Sequence, residues 1–130
     1  MEEDAVTKDM WLYLMAGVLI VHGLGHSGGP WFFGRSWLSS RLGEGVVRWV
    51  FIVLWIIAGI GFVAAGIGLL THHAWWRTLA VISAAASLPV TVLFLGGVAA
   101  SNKVAALVVD VAILVSLLWL HWPPVELVGS

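Results

Sequence analysis

The sequence predicts an all-α fold: a polytopic integral membrane protein, a four-transmembrane-helix antiparallel bundle, in one domain of 130 residues. Three observations point there. Hydrophobic residues make up 61% of the chain and charged residues 10%, with a mean hydropathy of +1.02, whereas soluble domains carry about a quarter charged residues. Four apolar runs, at about 10–27, 46–70, 75–97 and 103–122, each approach the roughly 20 residues needed to cross about 30 Å of hydrocarbon. The connections Thr71-His72-His73-Ala74 and 97–102 are short, and short connections join antiparallel neighbours.

The same composition excludes several function classes. A net charge of -1 with no basic tract leaves no electrostatic footprint for nucleic acid. The chain has no cysteine, which removes disulfides, thiolate metal sites, iron–sulfur clusters and thiol catalysis together.

The first run follows an acidic opening, Glu2, Glu3 and Asp4, with Lys8 and Asp9 beyond it. A secretory signal wants a basic start and a cleavage site, so this run is expected to be retained. It closes in His22-Gly23-Leu24-Gly25-His26-Ser27-Gly28-Gly29-Pro30. Trp31-Phe32-Phe33 is read as an interfacial continuation, and 28–45 as the one substantial loop. The second run offers close-packing pairs at four-residue spacing, Gly61 with Ala65 and Ala64 with Gly68. The third has Ala80 with Ala84 and Ser83 with Ser87. It also holds Pro89, expected to kink the helix with Ser87 or Thr91 helping to satisfy the freed carbonyl. The fourth has Ala112 with Ser116.

Aromatic residues mark the edges. Trp11, Tyr13, Trp75, Trp76, Trp119 and Trp122 fall at one interface and Trp31, Trp37 and Trp49 at the other, with Trp55 alone in mid-span. The long-loop side carries Arg35, Arg41, Arg48 and Lys103, against Lys8 and Arg77 opposite. The positive-inside bias therefore predicts a cell-membrane protein with loop 28–45 in the cytoplasm and both termini outside.

The candidate site follows from depth. His22 and His26 are four residues apart and share a helix face. At a rise of about 1.5 Å per residue, His22 lies about 6 Å deeper than His26, and Asp110 lies about 10 Å in from Lys103. Ser87 and Thr91 reach a similar level, and Arg48 enters at the start of the second run. His22, His26, Asp110, Arg48, Ser87 and Thr91 are thus expected to converge as a ligand- or proton-binding group. Asp110 is the one acid inside a span and needs a partner, a proton or water; Arg48 or a histidine would supply the partner.

Other readings compete with this one. The histidines could bond backbone carbonyls near water, and Asp110 could be neutral glue between helices. His22, His26 and Asp110 could instead hold a divalent metal, since His-x-x-x-His on a helix is ligand spacing. A metalloprotease would need a glutamate where Gly23 stands. Haem could use either histidine, although no opposite axial ligand is evident. Gly25-His26-Ser27-Gly28-Gly29 matches Gly-x-Ser-x-Gly without the strand–turn–helix setting that this pattern requires. His72, His73 and His121 lie at the other interface, where histidine is ordinarily just polar, and His121 is placed on the face of Asp110.

Several features together resemble a group of small bacterial four-helix integral membrane proteins, sometimes labelled permeases, whose function is uncharacterised. They are His22–His26 closing span one, Trp55 in span two, Trp75-Trp76 opening span three, and the short polar hairpin before span four. The resemblance implies the same architecture. That group commonly carries asparagine where Asp110 stands, which implies a role that does not depend on charge there.

The function expected is an accessory subunit or small permease-like protein without catalysis. Its polar His/Asp half-cavity would take a proton, ion or small ligand; its partners would be the lipid bilayer and another membrane subunit or a second copy. The alternative is a metal- or haem-binding membrane protein, redox or hydrolytic, using His22 and His26.

Overall fold

The computed structural model describes residues 2–27, 39–93 and 100–128. Trp31, Phe32 and Phe33, most of the long loop and the end of the third predicted run lie outside them. The described chain is all-helical: α1 (Glu2–Gly25), α2 (Ser39–Leu42), α3 (Glu44–Leu70), α4 (Trp75–Leu93), α5 (Ala100–Leu114) and α6 (Val125–Val128). A π-helical turn, Val115–Trp119, extends α5.

Among the described residues, three helices are long and apolar enough to cross a membrane: α3, α4 and the stretch Ser101–Trp119. The sequence predicts four. The difference lies in α1, whose apolar part runs only from Met10 to the end of the helix at Gly25, so that a span-length stretch of it has to include Lys8 and Asp9.

The apolar repeat sets the packing. In α3 the buried residues Val47, Phe51, Trp55, Ala58, Phe62, Ala65 and Leu69 recur every three or four positions, so they form one stripe. The helix ends in a Schellman motif: His72 takes positive φ (54°), His72 N–H donates to Leu69 O and His73 N–H to Gly68 O. The chain then turns back into α4. Pro89 lies inside α4, which runs on to Leu93.

Both α1 and α4 pack on α3, while α5 packs on α4. Glycines let α1 approach closely: a Cβ on Gly23 would stand 2.8 Å from Gly59 O and 2.8 Å from Val63 Cγ2. On the other face of α3, Gly61 lies directly against Ser83. Gly61 and Ser83, each from a predicted small-residue row, thus form an interhelical contact, and Gly23, Gly59 and Gly66 make further close approaches, whereas Ala112 of the α5 row is exposed.

Helix α5 is peripheral. Of the most apolar window, 39% is buried in α3 and 44% in α4, but 6% in Ser101–Trp119. Opposite it, α1 stands off, and a cavity of about 240 Å³ separates them, lined by Met15, Leu19, Trp76, Val109, Ile113 and Trp122. At the terminal end the gap is closed by Trp11 and Trp122, edge to face at 5.7 Å. Arg77 there donates to Pro123 O, and His72 Nδ1 to Val128 O at 2.9 Å. These bonds pin the chain after α5 to α4 and to the α3–α4 turn.

Candidate functional site

The buried stripe of α1 reads Leu12, Ala16, Leu19, Gly23 and His26, so the helix that fills the core with apolar groups ends by inserting an imidazole. His22 flanks the stripe, and its side chain is 11% exposed. Both rings lie against α3. His22 meets Phe62 edge-on at 4.7 Å, and His26 meets Trp55 at 4.8 Å. Gly59 makes room, since a Cβ there would stand 3.0 Å from His26 Cβ.

Asp110 is fully buried, and it is the only buried residue among the described side chains of α5. Its carboxylate Oδ1 accepts from His22 Nε2 at 2.8 Å. Its Oδ2 is buried with no partner among the described residues.

A second set of bonds fixes His26. Its Nδ1 lies 3.0 Å from His22 O, and a carbonyl can only accept, so Nδ1 carries a proton. In the neutral ring Nε2 is then bare, and it accepts from the buried Ser87 hydroxyl at 3.1 Å. The Trp55 indole N–H donates to His26 O, satisfying a carbonyl freed at the end of α1. The two imidazoles are 5.2 Å apart and share no side-chain bond. They meet through the backbone carbonyl of His22, which cannot pass a proton. The site is therefore two coupled pairs, Asp110–His22 and Ser87–His26.

Four of the six predicted residues come together: His22, His26, Asp110 and Ser87. Thr91 is buried on α4 but makes no bond to them. Arg48 is exposed and does not reach Asp110. Val47 and Phe51 belong to the inward stripe, and Arg48, about 100° round the helix from Val47, points away from it.

The predicted metal triad is corrected as well. Among the described residues no three His, Asp or Glu side chains are grouped to hold an ion, because His26 turns to Ser87 and His22 O rather than toward Asp110. Both His26 nitrogens are engaged, Nδ1 with His22 O and Nε2 with the Ser87 hydroxyl. His121 does not share the face of Asp110: the helix gives way at the π turn, and His121 takes positive φ (50°) beyond it. Ser27 is exposed in the turn that follows α1.

Trp55 and Phe62 border the site without being predicted members of it. Trp55 carries a signal in the sequence: a tryptophan in mid-span has an N–H that must find an acceptor away from water. Phe62 carries none, since it reads as ordinary core.

Comparison with protein-family models, with curated proteins and with solved structures finds no match for this chain.

Proposed function

We propose that this chain is a four-helix antiparallel integral membrane protein, with α1, α3, α4 and α5 as its spans, and that the Asp110–His22 pair is a proton- or cation-accepting site. The reading that fits is an accessory subunit or a small permease-like protein. It works with the bilayer and with another membrane subunit or a second copy of itself. One observation carries the proposal: the single described side chain that α5 buries is its one acid, and half of that carboxylate has no partner among the described residues. An ionisable group in a span is costly unless it is paired or functional. An asparagine would still accept from His22, through a weaker neutral bond, and spare the cost of a buried charge. On this reading the acid at 110 departs from the charge-independent role that the resemblance implies, and serves for what a carboxylate can do and an amide cannot, which is to gain and lose a proton or attract a cation.

The chemistry available is exchange, not catalysis. Asp110 Oδ2 takes the proton or cation, while His22 Nε2 donates to Oδ1 and holds the carboxyl in place. Ser87 and His26 hold the end of α1 in place beside them. In the bilayer the positive-inside bias of Arg35, Arg41, Arg48 and Lys103 puts the long loop in the cytoplasm and both termini outside.

The test is proton uptake by the reconstituted protein, followed with a pH-sensitive dye in liposomes under an imposed gradient. Wild type is expected to take up or pass protons, and Asp110→Asn to lose this. Equal uptake in both would sink the proposal. Metal analysis and visible absorbance of the same preparation address the metal or haem alternative; a stoichiometric metal or haem band lost in His22→Ala would replace the proton reading.

A further inference from the structure

Among the described residues, helix α5 is fastened differently at its two ends. Past the π turn Val115–Trp119, the chain is held by Trp11 on Trp122, by Arg77 on Pro123 O and by His72 on Val128 O. Ahead of the turn, residues 100–114 lie on α4 and, among the described residues, are linked to α1 by one polar contact, His22 Nε2 to Asp110 Oδ1 at 2.8 Å. Below that contact lies the cavity of about 240 Å³ between α1, α4 and α5. Val18 and Val109 line both this cavity and a second hollow on the outer side, so the two hollows adjoin along the seam between α1 and α5. A π turn is a local break in helical regularity, often found at functional sites, and offers a place for one segment to swing against the next.

We infer that residues 100–114 form a gate, hinged at Val115–Trp119 and latched to α1 by the His22–Asp110 pair, whose release widens the cavity laterally between α1 and α5. This rests on the proton-accepting reading of Asp110 and names what that proton does. With Asp110 ionised, the carboxylate holds His22 through a charged hydrogen bond. A proton on Oδ2, the oxygen without a partner among the described residues, removes the charge and weakens the latch. Few other groups could interfere. On α1 the titratable groups facing the pair are His22 itself and His26, which is held by Ser87 and His22 O. From α3 the neighbours are Phe62 and Trp55, and from α4 Ser87 and Thr91, none of which titrates near neutrality. On α5 the next charged group is Lys103, about two turns away.

The chain has no cysteine, so spin labels can be placed without background. One pair, Val21→Cys and Val108→Cys, spans the seam at the level of the latch, and both positions are well exposed, 70% and 62%. A second pair, Ile60→Cys and Ile82→Cys, reports on α3 against α4 as a control. Distances are measured by double electron–electron resonance in nanodiscs across a pH series, and again with Asp110→Ala and Asp110→Asn. A single short seam distance is expected at neutral and alkaline pH, shifting to a longer one on acidification and, at every pH, in Asp110→Ala and in Asp110→Asn, which mimics the protonated acid, with the control pair unmoved. A seam distance that ignores both pH and the Asp110 substitutions overturns the gate. If Asp110→Ala also moves the control pair, the pH series on the intact latch decides alone. Proton uptake without seam movement would remove the gate and keep the proton site. Seam opening in Asp110→Ala with no pH response would leave the mechanical latch and remove its control by protons.

Discussion

His22 Nε2 and Asp110 Oδ1, 88 positions apart in sequence, meet at 2.8 Å and join α1 to α5 where those helices otherwise stand apart. Asp110→Asn and Asp110→Ala should separate the structural part of this bond from its charge. Alanine leaves the His22 donor in the core without an acceptor, a loss of about 1–3 kcal/mol. Asparagine keeps the acceptor and removes the buried charge, so its thermal midpoint in detergent is expected at or above that of wild type. Equal destabilisation by both would mean that the charge itself holds the fold.

Much of this site is legible in the sequence, because depth is additive along a helix. Counting about 1.5 Å per residue places His22, Asp110, Ser87 and Thr91 at one level. Azimuth is harder to count. Arg48 fails because it lies beside the stripe of Val47 and Phe51, and depth alone does not distinguish a stripe from its flank. His121 fails for another reason: the face-sharing count assumes an unbroken α-helix, and the π turn at Val115–Trp119 intervenes. The peripheral place of α5 is equally hidden in the sequence. Its Val-rich surface reads the same whether it faces lipid or protein, and only its contacts reveal that, of its described side chains, Asp110 alone is buried.

The His26 ring should be a single neutral tautomer with the proton on Nδ1. The His22 carbonyl demands a donor there, and Ser87 then donates to Nε2. Solid-state ¹⁵N NMR of histidine-labelled protein is expected to show this tautomer, and Ser87→Ala should shift the Nε2 resonance while leaving Nδ1 protonated. An Nε2-protonated ring in wild type would reverse the assignment of donor and acceptor at Ser87.

Trp55→Phe keeps an aromatic ring against His26 and removes one N–H. The cost should be about 1–3 kcal/mol, the penalty for leaving the His26 carbonyl without its donor in a buried place. Loosening the end of α1 should also broaden the His26 ring signals. An unchanged melting point with unchanged signals would show that water or another donor can serve that carbonyl.

Two glycines of α1 should respond oppositely to the same added methyl. Gly23→Ala drives a carbon to 2.8 Å from both the Gly59 carbonyl and the Val63 side chain, and overpacking of this kind costs about 1–3 kcal/mol. Gly17→Ala meets nothing within 4 Å and should stabilise the helix by up to about 1 kcal/mol. Thermal unfolding of the two variants, side by side, checks whether α1 and α3 approach as closely as the structure has them.

Orientation can be tested on the same cysteine-free background. Leu42 and Ser101 are exposed beside α3 and α5 at the arginine-rich side, and Thr71 and His121 are exposed at the other. A membrane-impermeant maleimide added to intact cells is expected to modify Thr71→Cys and His121→Cys and to spare Leu42→Cys and Ser101→Cys until the cells are opened. The reverse pattern would turn the protein over and put the positive side outside. Labelling of Leu42→Cys and Ser101→Cys from opposite sides would be more damaging. It would mean that α3 and α4 do not cross as a hairpin, and His22 and Asp110 would then no longer belong to the same half of the membrane.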